Sequence, residues 1–202
     1  MNLLVKLVAP VALPVLVAAC ASPSPAPVLL TLPPVATAPS AMAPEASASS
    51  PVLAVRRVGI PEYLVARRVR YRADAATLAE WPNTYWAERI EIGVSREFVS
   101  ALRQQLPGWS ICDTNCGDLA PTLTVQLTLA PMDYLRTAQK LQARARIAIS
   151  GAGPQARLPE TREMAIDIPA GADSAQAQAQ AITALIGKVA IEAAPMIRNA
   201  RP

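Results

Sequence analysis

The cysteine at position 20 has the most recognisable chemistry in this sequence. It follows Val17-Ala18-Ala19 at the end of an apolar run that begins at Leu7. In such a run, a step through small residues into a cysteine allows the thiol to accept a diacylglycerol before the preceding peptide is removed. The pattern predicts a lipoprotein signal peptide over residues 1–19 and a lipidated Cys20 as the mature N-terminus.

Two alternatives stay open at this end of the chain: an ordinary cleaved signal peptide and an uncleaved anchor. The apolar run is shorter than the roughly 20 residues that cross a bilayer, and Pro10 and Pro14 disfavour a permanent membrane helix. A diacylated cysteine holds a protein on a membrane without crossing it. Ala21 stands where an aspartate retains many Gram-negative lipoproteins in the inner membrane, so we expect the periplasmic face of the outer membrane.

The other two cysteines, Cys112 and Cys116, enclose three residues in a segment rich in turn-forming residues. In an oxidising periplasm this spacing favours a local disulfide, with free thiols as the alternative. A metal site would need more ligands, and the chain contains no histidine. We therefore expect no metal and no cofactor apart from the covalent lipid on Cys20.

The sequence offers no catalytic constellation. Without histidine, neither a Ser-His nor a Cys-His nucleophile pair can form, and no glycine-rich phosphate loop occurs. Glu88, Glu91 and Glu97 fall in a predicted helix, where a solvated face explains them better than paired catalytic carboxylates. A formal charge of +4 without lysine-rich runs does not support a nucleic-acid surface. The sequence predicts a protein that is not an enzyme.

A cluster of six arginines against one acid lies between positions 56 and 72. Its cations are Arg56, Arg57, Arg67, Arg68, Arg70 and Arg72. Tyr63 and Leu64 lie between its two halves, where they form either a binding hot spot or a buried contact under the sheet edge. The cluster fits contact with anionic lipid or with an acidic partner. A solvated rim of edge strands, whose cations discourage edge pairing, explains it as well.

These residues must be positioned by one domain that follows a tether. Residues 20–50 are rich in Pro, Ala and Ser, as expected of an extended tether. Within them, Val28–Leu32 is a β-compatible run between prolines, which suits an edge strand. The domain itself is expected over residues 51–202, with short strands over Val52–Ile60 and Val69–Arg72.

Hydrophobic periodicity predicts the rest of the domain. Apolar and polar residues alternate in three segments, 123–129, 141–149 and 164–168, which predicts an antiparallel meander. After a breaker at Trp81-Pro82-Asn83, a four-residue spacing predicts a helix over Tyr85–Leu106, and Ser174 is expected to cap a last helix. We expect an α+β fold, a two-layer sandwich of a mostly antiparallel sheet packed against two amphipathic helices.

In this order, the motifs resemble the ABC-type transport auxiliary lipoprotein family, which includes the PqiC-like membrane-integrity-associated lipoproteins. The likeness rests on the lipidation motif at Cys20, on Leu30–Pro33 at the first strand, on Val58–Leu64 as a strand followed by Pro-x-Tyr-Leu, and on Trp86–Glu88 before the first helix. The sequence departs from the family pattern at Leu29-Leu30, where an aromatic pair is usual.

The resemblance implies a non-enzymatic, lipid-anchored periplasmic subunit of an intermembrane lipid-transport system. Its implied partners are an MCE-domain periplasmic protein and the inner-membrane complex to which that protein belongs. Assembly of the family's small domains into a ring implies a homo-oligomer as a further expectation. A lipoprotein that binds lipid in its own core, and an assembly factor for outer-membrane or cell-wall components on a similar fold, are the alternative hypotheses.

Overall fold

In the computed structural model, residues 25–36, 50–113, 116–151 and 159–200 are described, so residues 1–19 and Cys20 lie outside the described residues. The described residues form eight strands, two helices and a short 3₁₀ turn over Glu62–Leu64. The elements are β1 Val28–Leu30, β2 Val52–Val55, β3 Arg68–Arg72, β4 Leu78–Trp86, α1 Ile90–Gln105, β5 Ser110–Cys112, β6 Leu123–Leu135, β7 Lys140–Gly151, β8 Glu160–Pro169 and α2 Ala175–Asn199.

The long strands β6, β7 and β8 form the predicted antiparallel meander. Alternate side chains of β6, from Leu123 to Leu129, are at most 2% exposed, and their neighbours face solvent at least in part. This is the pattern of a sheet with one buried face. The register shifts between Leu129 and Met132, where Pro131 has no N–H to donate. The strand therefore continues past its proline.

The second edge of β6 makes the sheet mixed. It pairs in parallel with β2 and, through Leu135, with β3. The sheet extends in parallel from β2 to β5 and from β4 to β1, whereas β3 and β4 are antiparallel. The α+β fold class is confirmed: the longest pairings are antiparallel, and the short strands add parallel ones.

Both helices pack on the sheet's apolar face. In α1, the side chains of Val94, Phe98 and Leu102 are fully buried. The apolar stripe of α2 is buried throughout: its residues are Ile182, Leu185, Ile186, Val189, Ala190, Ala193 and Ile197. The Ser174 hydroxyl accepts the Ala177 N–H at 3.1 Å as the predicted N-cap. By length and composition α2 could also span a membrane, but 61% of its most apolar window is buried in the fold. This burial is typical of the core helix of a globular domain.

The breaker predicted at Trp81-Pro82-Asn83 is wrong, because these residues lie inside β4. The register between β3 and β4 shifts between the Arg68–Tyr85 and Arg70–Glu80 pairs, so the proline falls in a bulge that needs no N–H there. Asn83 has a positive φ of 48° in the same bulge. As a result α1 begins at Ile90, and Trp86 is buried from β4 instead of from the helix.

The predicted edge strand near Val28 is present as β1 and pairs with β4. Leu30 and Leu32 join the core, so the fold includes residues 25–36 as well as those after residue 50. The strand predicted over Val52–Ile60 ends at Val55 and is followed only by an isolated bridge from Gly59 to Thr128. The segment predicted as a tether over residues 20–50 thus contains the possible strand that its sequence allowed, and residues 20–24 and 37–49 of it lie outside the described residues.

Candidate functional site

The fold divides the arginine cluster into paired and unpaired members. Tyr63 donates its hydroxyl to Asp133 Oδ1 at 2.8 Å, and Arg72 donates Nε to Asp133 Oδ2 at 3.1 Å. The Arg72 guanidinium also lies 5.6 Å from the centre of the Tyr63 ring. These contacts tie the 3₁₀ turn and β3 to β6, so Tyr63 and Arg72 hold the fold together at this point.

Arg68 and Arg70 share one carboxylate, Glu80, each with an N···O distance of 3.3 Å. Arg70 also donates to the Tyr63 carbonyl at 2.9 Å. Leu64 is half-buried against the core. Arg70 and Leu64 are thus structural, whereas Arg68 keeps a side chain that is 48% exposed.

The contact between Tyr63 and Asp133 is expected to make the stability of the fold depend on pH. Burial, and then the hydrogen bond to Asp133, raise the pKa of the Tyr63 phenol above its ordinary 10.0. The fold thus favours the neutral phenol, and this stabilisation is full below about pH 10 and is lost as the pH rises through the folded-state pKa. In Asp133→Asn we expect a lower Tyr63 pKa, measured by ultraviolet titration against Tyr63→Phe. An unchanged pKa would contradict the pairing.

Arg56 and Arg57 line a groove of about 250 Å³ between the end of β2 and one face of α1. Both side chains are exposed and have no ion pair among the described residues. The α1 face contributes Ile92, Ser95, Arg96, Val99 and Arg103, and Val55 and Asp113 complete the lining. The groove therefore has an apolar floor and a rim with an excess of positive charge.

Backbone contacts fix the two arginines at this groove. The Arg56 N–H bonds to the Val125 carbonyl at 2.9 Å, and the Val58 N–H bonds to Ser95 Oγ at 3.0 Å. The Ser95 hydroxyl in turn donates to the Glu91 carbonyl at 2.7 Å. The main chain of the loop is held at both ends, and the side chains of Arg56 and Arg57 are exposed.

The other groove cations have partners of their own. Arg96 pairs with Glu88 and Glu97, and Arg103 donates to the Ile111 carbonyl. These contacts leave Arg56 and Arg57 as the groove cations available to an external anion. The remaining arginine of the cluster, Arg67, is also exposed without an ion pair among the described residues, but it lies on a different surface, beside Trp86.

A disulfide joins Cys112 and Cys116, whose Cα atoms are 5.2 Å apart. It links the last residue of β5 to Cys116, next to the Asp113 rim of the groove. Across the ranges that the structure describes, no group of three or more His, Cys, Asp or Glu side chains is arranged to hold a metal ion.

Sequence reasoning missed a buried polar link between α2 and the sheet. Gln178 accepts the Trp81 indole N–H and donates to the Arg70 carbonyl, both at 2.7 Å. Outside it, Arg136 lies 4.6 Å from the centre of the Trp81 ring and pairs with Asp173 at 2.9 Å. Alanine and glutamine alternate around Gln178, and this two-residue spacing does not separate an apolar from a polar face of a helix. The sequence pattern therefore could not identify the buried glutamine.

Solved structures share this fold at low sequence identity. A crystal structure of an uncharacterized protein superposes with a TM-score of 0.68 at 16% identity, covering 86% of this chain and 99% of its own. A protein from Xanthomonas campestris described under DUF330 has a TM-score of 0.62 at 14% identity, covering 82% of this chain and 92% of its own. At these identities the similarity shows the fold alone.

Sequence comparison identifies the family. No curated protein sequence matches this chain significantly. The profile of the ABC-type transport auxiliary lipoprotein component matches residues 30–194, from the end of β1 to most of α2. The matched region includes both helices, the groove and the strands from the end of β1 onward. Because the match covers most of the chain, the chain belongs to the family of ABC-type transport auxiliary lipoprotein components.

Proposed function

We propose that this chain is a non-enzymatic subunit of an MCE/ABC-type intermembrane lipid-transport system, lipid-anchored through Cys20 on the periplasmic face of the outer membrane. There it docks the transport complex and supports envelope integrity. The observation that carries this proposal is the family match over residues 30–194. The lipidation motif before Cys20 supports the anchor.

The core gives no support to the alternative in which lipid binds inside the domain. A cavity between the helices and the sheet, beside Met132 and Gln178, measures about 10 Å³. This volume holds about one water at most. The close-packed side chains around it therefore favour a docking module over a carrier with an internal acyl-chain site.

Capture from solubilised membranes tests the proposed function. The tagged, lipidated protein is expected to co-purify with an MCE-domain protein and its inner-membrane complex, and its loss is expected to make cells sensitive to detergent. Recovery of the lipidated protein without any such complex, from cells that contain one, would refute the proposal.

The groove supplies the docking surface in this proposal, because its two unpaired cations can meet an acidic surface. In the double variant Arg56→Glu/Arg57→Glu we expect at least a tenfold loss of captured partner, measured by quantitative mass spectrometry. A matched control reverses two other exposed charges, Arg144 and Lys188, which have no ion pair among the described residues. Equal capture by both double variants would place the docking surface elsewhere.

A further inference from the structure

The first strand presents apolar side chains at an open sheet edge. Val28 is 42% exposed and Leu29 is 56% exposed, although both lie in β1 of a domain with a well-filled core. Among the described strands, β1 pairs only with β4, so its other side is uncovered. A surface of this kind indicates a contact that the isolated domain does not make.

Across the sheet, Leu29 begins a row of three side chains. Leu29 is the register partner of Tyr85, and Tyr85 is the partner of Arg68. The Arg68 guanidinium lies 5.1 Å from the centre of the Tyr85 ring. An apolar, an aromatic and a cationic side chain thus follow one another inward from the edge. This order matches the order of acyl chains, interface and phosphates in a leaflet.

Dimensions agree with that match. Neighbouring strands are about 4.8 Å apart, so Arg68 lies about 10 Å from the β1 edge. The headgroup region of one leaflet is roughly 5–8 Å thick, from the difference between the whole bilayer and its hydrocarbon core. With Leu29 at the acyl boundary, Tyr85 lies about 5 Å further out, within the headgroup region, and the backbone of Arg68 lies just beyond the outer edge of that region, from where its guanidinium reaches over the Tyr85 ring.

The small number of residues between Cys20 and β1 limits how far this edge can lie from the anchor. The Asn83 side-chain amide donates to the Pro25 carbonyl at 2.7 Å, which fixes the start of the described chain beside β4. Cys20 precedes Pro25 by five residues. At about 3.6 Å per extended residue, the two lie no more than about 18 Å apart. β1 begins three residues further on, so a lipid on Cys20 keeps the start of β1 within about 29 Å of the anchor.

We propose that the β1 edge rests on the phospholipid surface in which Cys20 is anchored, with Leu29 at the acyl boundary, Tyr85 in the headgroup layer and Arg68 at the outer edge of that layer. This inference rests on the lipidation of Cys20 in the proposed function. A second protein strand is a poorer occupant of the edge, because Pro27 and Pro33 flank β1 and confine pairing to a few residues. The sheet then stands edge-on to the bilayer, and the domain lies against it.

Two labelled variants test the proposal on the mature, lipidated protein. Leu29→Cys and the control Ile191→Cys place a nitroxide at side chains that are both 56% exposed. Mass spectrometry first verifies the lipid on Cys20, so a failure of the anchor is recognised separately. The protein is then reconstituted into phosphatidylethanolamine–phosphatidylglycerol vesicles. We expect the label at 29 to lose severalfold accessibility to a nickel chelate and to gain accessibility to oxygen, while the label at 191 stays aqueous.

Hydrogen exchange on the unlabelled chain gives a second measurement that needs no variant. The amides of β1 are expected to exchange more slowly in vesicles than in detergent. Aqueous accessibility at position 29 in vesicles, together with unchanged β1 exchange, overturns the proposal. Protection at 29 that rises with protein concentration in detergent also overturns it, since a second copy then covers the edge.

Discussion

Replacing Cys20 by serine is expected to leave the protein without its lipid, with residues 1–19 uncleaved and its localisation disrupted, and without a change in the stability of its fold. The hydroxyl of serine does not replace the thiol in lipidation, so the diacylglycerol is never attached. Each buried methylene of the lipid contributes about 0.8 kcal/mol to membrane binding, and two chains together make it stable. Cell fractionation and intact-mass measurement check the first expectation, and thermal unfolding of the purified protein checks the second.

The other cysteines provide the matched control. The double variant Cys112→Ser/Cys116→Ser removes the disulfide and leaves Cys20 in place. We expect it to stay in the membrane fraction and to lose about 2 kcal/mol of unfolding free energy, because the closed loop is short. The intact mass of the natural chain decides between the alternatives: if it keeps residues 1–19 and carries no lipid on Cys20, the segment is an uncleaved anchor and the lipidation prediction is wrong.

Strong periodic patterns gave the most accurate structural predictions. The alternation around Val125 and Ile147, and the stripe through Leu185, were assigned to the correct element because each segment buries a single face over many residues. A long pattern averages over local exceptions. The fold class follows from these elements, since one apolar sheet face and two apolar helix faces can be buried only against one another.

Single proline and asparagine residues were less informative than periodic patterns, because their effect on a strand depends on how the neighbouring strand pairs with it. Pro82 and Asn83 have the composition of a breaker, yet they continue a strand whose neighbour shifts register beside them. The arginine cluster shows the same dependence. Arg72 and Arg56 look alike in sequence, but Asp133 comes from β6 to neutralise the first, and no described carboxylate pairs with the second. Contacts between residues this far apart in sequence are not visible in spacing.

Replacing Gln178 by methionine is expected to lower the free energy of unfolding by about 2–4 kcal/mol, because a buried indole N–H and a partly buried carbonyl lose their partners together. Gln178 is 3% exposed and bonds to Trp81 and to the Arg70 carbonyl. The adjoining cavity of about 10 Å³ leaves little room for a replacement water. Denaturant unfolding of Gln178→Met measures the loss. Gln180→Met, an exposed position on the same helix, is expected to cost less than about 0.5 kcal/mol.

A double-mutant cycle separates the hydrogen bond from the packing of the glutamine side chain. Trp81→Phe removes the indole donor, so Gln178→Met should cost less in that background than in the natural chain. We expect a coupling free energy of about 1–2 kcal/mol, the size of one buried hydrogen bond. A coupling near zero would mean that Gln178 stabilises the domain by filling space alone. In that case the helix-to-sheet link would depend on the apolar stripe of α2 and not on this polar bridge.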